Sequence, residues 1–113
     1  MIESQADLDR MFHALSDRSR RGMIDRLGRG PASVTELAAP LAVALPTVMK
    51  HLQVLEESGL VLSEKSGRVR TYRLQQDAFA AVERWVEQRK IQLTTTFDRL
   101  DHFLANETET LPE

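Results

Sequence analysis

The residues between Ser33 and Gly59 constrain the fold of this chain more than any others. Ser33-Val-Thr-Glu36 has the pattern of a capping box: the serine oxygen accepts from the amide three residues on, and the glutamate reaches back to the serine amide. The helix it opens must be short, because Pro40 lacks an amide donor and biases Ala39 away from helical angles. A second helix can begin near Leu45, since Pro46 in its first turn costs no hydrogen bond. It ends at Gly59, which suits a left-handed stop. Two short helices split by a turn of a few residues form a helix-turn-helix. Leu60–Lys65 and Val69–Leu74 then read as two strands around Ser66-Gly67, with Tyr72 and Leu74 sharing the face that packs on the body.

The flanking segments are helical. Asp7–Leu15 carries Leu8, Met11, Phe12 and Leu15 at helical spacing, and Ser16-Asp17 caps a helix that runs to about Leu27, where Gly28 and Gly30-Pro31 stop it. From about Asp77 to Ala105 one long helix is expected, with Val82, Val86, Leu93, Phe97, Leu100 and Leu104 in a stripe flanked by Phe79 and Trp85. About 29 residues at ~1.5 Å each span roughly 43 Å, more than so small a body covers. Such a stripe needs a partner, most simply the same helix of a second subunit. Residues 106–113 are polar and acidic and are expected to fray. The expected fold is a single domain over residues 1–113, mainly α with a small β-hairpin.

At 113 residues the chain is near the common domain size. It has no cysteine, which excludes disulfides and thiolate metal sites. The acidic start, Met1 to Asp7, does not resemble a secretory signal, and no run approaches the ~20 apolar residues that span a bilayer. A cytoplasmic protein without membrane contact is expected. Net charge is −2, but it is unevenly spread: residues 17–74 hold ten Lys/Arg against six Asp/Glu, and the flanks hold five against eleven. The middle of the chain can therefore face a polyanion.

In the second motif helix Val48, Leu52 and Leu55 recur at four and three and point inward. Pro46, Lys50, Gln53 and Glu57 fall opposite, with Thr47 and Met49 at the sides. The N-terminal part of such a helix meets base edges in double-stranded DNA. Pro46, Thr47, Met49, Lys50 and Gln53 are therefore the candidate base contacts: Gln53 for adenine, Lys50 for guanine, Thr47 or Met49 for a thymine methyl. His51, at the border, is a candidate phosphate contact. The hairpin adds Lys65, Arg68, Arg70 and Arg73. Arg68, beside the tip, suits the minor groove or the backbone, with Arg70 as a further contact. Arg18, Arg20 and Arg21 open a helix that can also reach phosphate, although Arg20 equally suits a structural ion pair. A protein-binding module without DNA binding is the alternative, and wing arginines argue against it. No nucleophile–base pair or phosphate-binding glycine loop is present, so no enzyme and no cofactor are expected.

Taken together, Phe12-His-Ala-Leu-Ser-Asp-Arg-Ser-Arg20-Arg, Val34-Thr-Glu-Leu-Ala38, Val48-Met-Lys-His51-Leu-Gln-Val-Leu55, Ser58-Gly-Leu-Val61 and Gly67-Arg-Val-Arg-Thr-Tyr72 resemble the ArsR/SmtB family of winged-helix repressors. The likeness runs from about Leu8 to Leu104. It implies a homodimer paired through its first and last helices, binding an imperfect palindrome at a promoter and released by a small-molecule inducer. The interface residues it implies are Leu8, Met11, Phe12, Val86, Leu93, Phe97, Leu100 and Leu104. The chain departs from the family where metals bind. Ser33 and Thr35 stand where one family site has cysteines, and Asp77-Ala-Phe79 lacks the histidine of another, with Lys90 near a required ligand position. Arg18 replaces a usual proline, and Met49 a usual serine of the recognition helix. The likeness is thus to the metal-independent branch. One residual metal arrangement pairs Asp98 and His102 with Asp9 and His13, each pair at four-residue spacing, against the simpler reading of solvated surface pairs.

Overall fold

The order of elements follows from where the backbone finds its caps. In the computed structural model, which describes residues 4–110 and side chains to Asn106, helix α1 spans Gln5–Leu15 and α2 spans Arg18–Leu27. Strand β1 is Ala32–Ser33, α3 is Val34–Ala38, α4 is Leu45–Glu57, β2 is Val61–Ser66, β3 is Val69–Leu74 and α5 is Gln76–Thr110. The described residues fall into two compact units divided between Val82 and Glu83. The first holds the helix-turn-helix and the sheet; the second is the remainder of α5.

Helices α1, α2 and α3 each open on a side-chain cap. Ser33 Oγ accepts from the Glu36 amide at 3.3 Å and Glu36 Oε1 accepts from the Ser33 amide at 3.1 Å, so the expected capping box is formed. A second box, unanticipated, starts α1 two residues early: Ser4 Oγ accepts from the Asp7 amide and Asp7 from that of Ser4. Asp17 Oδ2 accepts from the Arg20 amide at 3.0 Å to start α2. Helix α4 has Pro46 in its first turn and no side-chain cap. It closes where Gly59, at φ +83°, turns the chain out of the helix.

The sheet has three strands in the order β1-β3-β2, all antiparallel. The hairpin pairs Val61 with Leu74 through to Ser66 with Val69, and Gly67 at φ +63° begins its two-residue turn. The two-residue β1, absent from the sequence reading, pairs Ala32 with Tyr72 and Ser33 with Thr71. It makes β3 the central strand, so Tyr72 is covered on both sides and buried. Met11, Met23, Leu27, Leu37, Val48, Leu52, Leu55, Leu60 and Val61 complete the core around it. Burying each such side chain contributes about 1.5–3 kcal/mol. Met11, expected at a subunit interface, is 1 % exposed. It belongs to the core and has no surface to offer a partner.

Helix α5 begins one residue before the expected start and continues to Thr110, five residues past the expected end. The tail expected at residues 106–113 thus begins on helical backbone, and residues 111–113 lie outside those described. Ala78 and Ala81, in its first turns, are buried.

The carboxylates of Asp7, Asp17 and Glu36 are all held below their ordinary range. The main causes are hydrogen bonding from the Ser4 side chain to Asp7, from the Arg20 backbone to Asp17, and from the Ser33 backbone to Glu36. A carboxylate depressed in the folded state adds stability that is present above its unfolded pKa and is lost as pH falls through the folded value. Urea midpoints should thus hold steady down to about pH 5 and drop below about pH 4. In the double variant Asp17→Asn/Glu36→Gln the acid drop should be shallower; an unchanged drop would mean that the caps do not titrate with folding.

Candidate nucleic-acid interface

The burial of Val48, Leu52 and Leu55 fixes the rotation of α4, and with it which residues look outward. Pro46, Thr47, Met49, Lys50 and Gln53 are all exposed. They line a groove of about 780 Å³ together with Glu56, Glu57, Arg70 and Tyr72. One wall is therefore the outer face of α4 and the other is β3. The five proposed base contacts share this groove, as the helical spacing required. Arg70 lies on its opposite wall and Arg68 is exposed at the turn of the hairpin.

The groove is laced by hydrogen bonds that sequence reading did not find. Arg70 Nη1 donates to Ser63 Oγ at 2.8 Å, and Ser63 Oγ donates to Glu56 Oε2 at 2.9 Å. This relay joins the hairpin to α4 and holds the guanidinium at the groove wall. Gln53 Nε2 donates to Glu57 Oε1 at 3.1 Å. Tyr72 at the groove floor has its phenol pushed up, mainly by burial and then by the Glu56 charge, so it stays neutral. The signal for Glu57 was present, since it shares the outward face with Lys50 and Gln53. Ser63 carried no such signal, because its partner lies seven residues away across a turn.

Arg20 is not part of this surface. It is 8 % exposed and its guanidinium closes the end of α1: Nε donates to the Ala14 carbonyl at 2.7 Å and Nη2 to that of His13 at 3.0 Å. Arg21 Nη1 donates to the next carbonyl, Leu15, at 2.8 Å. The basic opening of α2 thus satisfies the last carbonyls of α1, where the helix dipole favours cations. This corrects the expectation that Arg20 reaches phosphate; a buried fork with three partners cannot. His51 changes role too. Its half-buried ring sits with Nδ1 3.3 Å from Arg20 Nη1 and 3.9 Å from Asp17 Oδ2. Arginine has no acceptor, so in any hydrogen bond between the two Nδ1 of His51 is the acceptor. His51 does not line the groove with its neighbours; it couples α4 to the start of α2.

The remaining expected sites lie elsewhere. Leu8 is half-buried against the core and Phe12 is 37 % exposed on α1. In the second unit Val86, Leu93, Phe97, Leu100 and Leu104 are between 42 and 58 % exposed. Ile91 and Phe103, outside the expected stripe, are exposed as well. Asp9, His13, Asp98 and His102 are exposed, and His102 Nε2 lies 3.1 Å from Asn106 Nδ2. Among the described residues no group of three or more His, Cys, Asp or Glu side chains is placed to hold a metal ion. No described helix is long and apolar enough to cross a membrane.

The helix-turn-helix domain family HTH_20 matches residues 15–64, from the end of α1 into β2. The chain is similar to the HTH-type transcriptional regulator Rv2034 of Mycobacterium tuberculosis, at 42 % identity over 74 residues, covering 66 % of this chain and 69 % of that one. It is 37 % identical over 89 residues to the arsenical resistance operon repressor of Escherichia coli, covering 73 % and 76 %. Among solved structures, the ArsR family transcriptional regulator RHA00566 matches with a TM-score of 0.77 and 42 % identity, over 83 % of this chain and 97 % of that one. With an exposed helix face set beside a basic hairpin, and with these relatives, the chain belongs to the ArsR family of winged helix-turn-helix, DNA-binding transcriptional regulators.

Proposed function

We propose that the chain acts as a homodimeric repressor on an imperfect palindrome at a promoter, in the metal-independent manner, without catalytic activity and without a cofactor. The observation that carries this reading is the groove in which Pro46, Thr47, Met49, Lys50 and Gln53 face outward from α4 while Val48, Leu52 and Leu55 are buried. Helix α4 enters the major groove, and its N-terminal residues meet base edges. Arg68 at the hairpin turn lies on the backbone or the adjacent minor groove, and Arg70 flanks α4. The exposed apolar side chains of α5 form the subunit seam. Double-stranded DNA and a second copy are the partners, and a small-molecule inducer releases the complex. Cellular action is cytoplasmic, where the DNA is. The absence of cysteine, with Ser33 and Thr35 at the start of the helix-turn-helix, supports metal independence.

Selection of bound fragments from genomic DNA tests the reading and yields the operator. A purified protein that enriches no promoter fragment would refute it. On the recovered operator, Arg68→Ala should weaken binding to cognate and random duplex alike and reduce the slope of log K against log salt by about one. A slope equal to that of the unmodified protein would remove Arg68 from the interface.

A further inference from the structure

Ser63 stands between a cation and an anion that come from different elements. Arg70 Nη1 on β3 donates to Ser63 Oγ at 2.8 Å, and that hydroxyl donates to Glu56 Oε2 on α4 at 2.9 Å. Arginine only donates and a carboxylate only accepts, so the group between them must do both; a hydroxyl does so through one oxygen. We propose that Ser63, anchored by Glu56, is a positioning residue for DNA binding: it holds the Arg70 guanidinium ready for a phosphate beside α4. The inference rests on the placement of Arg70 at the DNA surface proposed above.

The register of the hairpin shows why Arg70 needs holding. Lys65 lies directly opposite it on β2, and Ser63 lies opposite Tyr72. Alternation along the strands puts Ser63 on the same face as both cations. Like charges that face each other across two strands repel. Left to itself, the exposed guanidinium would swing through several rotamers away from Lys65. The Ser63 bond instead draws it toward α4, to the wall of the groove that Arg70, Glu56 and Tyr72 share with the outward face of that helix. The bond takes one N–H of the guanidinium fork, and the other donors remain for a phosphate. An arginine ordered before binding loses less conformational entropy when the phosphate arrives. Glu56 gains a role in the same way. A carboxylate in the last turn of α4 opposes the helix dipole and faces the phosphates of a duplex in the groove. Here it fixes the oxygen on which Arg70 rests.

The test uses the full chain and the operator duplex recovered by selection. Ser63→Ala should weaken binding about fivefold, the cost of ordering one long side chain on contact. Ser63→Thr keeps a hydroxyl on a residue that suits a strand, and it should bind as the unmodified protein does. Arg70→Ala should weaken binding at least as much as Ser63→Ala and lower the slope of log K against log salt by about one. In the Arg70→Ala background, Ser63→Ala should change binding no further. An effect of Ser63 on the fold alone would persist in that background, and its persistence would overturn the proposal. In a Glu56→Ala background the Ser63→Ala loss should likewise disappear; a loss of full size would overturn the part given to Glu56. If Arg70→Ala keeps both affinity and slope, Arg70 touches no phosphate and its placement falls together with the role of Ser63. If Arg70→Ala lowers the slope while Ser63→Ala binds as tightly as the unmodified protein or more so, the placement stands and the positioning role alone is overturned.

Discussion

Arg20→Ala is expected to lower the unfolding free energy by about 3 kcal/mol, because it strips charge-assisted hydrogen bonds from the Ala14 and His13 carbonyls and leaves the first of them buried without a donor. Domains of this kind are stable by only about 5–15 kcal/mol, so the loss is a large share of the whole. The urea midpoint should fall by more than about 1 M at fixed protein concentration, with little change in slope. Arg20→Lys should be intermediate, since an ammonium reaches fewer of the three partners. Arg21→Ala should cost less than about 1 kcal/mol, because its bond to the Leu15 carbonyl is exposed to water. The same variants separate structure from DNA contact. At a temperature where Arg20→Ala remains folded, the salt dependence of its DNA binding should match that of the unmodified protein. A normal urea midpoint combined with a slope reduced by one would instead put Arg20 on a phosphate.

Most of this fold is readable in the residues because its helices end on local signals. Ser33 with Glu36, Pro46 and Gly59 each act within four residues of themselves, and each does what its type dictates. The outward face of α4 was readable for the same reason: the inward spacing of Val48, Leu52 and Leu55 leaves little freedom in rotation. What escaped depends on contacts distant in sequence. Strand β1 is two residues long and exists because Tyr72, forty residues later, offers it a partner. Arg20 and Met11 look in sequence like a surface cation and an interface apolar residue. Tertiary packing buries both, the first against the end of α1 and the second in the core. The Arg70–Ser63–Glu56 relay joins two strands and a helix, and none of its members is unusual in its own neighbourhood.

Leu93→Asp is expected to yield a folded monomer. Leu93 is 55 % exposed in the single chain, in line with Val86, Phe97, Leu100 and Leu104 on one side of α5. In the proposed seam the substitution removes two buried leucines per dimer and sets two carboxylates in an apolar layer. The combined loss of about 4 kcal/mol or more weakens the dimer by about a thousandfold. Among the described residues every buried core side chain precedes Val82, so the helix-turn-helix unit should keep its fold and its circular dichroism. Thr95→Asp supplies the control. Two residues on, it is about 200° around the helix, and it adds the same charge away from the stripe. That variant should sediment as a dimer. On the operator, Leu93→Asp should lose the advantage of linked half-sites and approach its affinity for random duplex. A Leu93→Asp protein that sediments as a dimer at micromolar concentration would move the seam off this stripe and leave Leu93, Phe97 and Leu100 without the partner their chemistry demands.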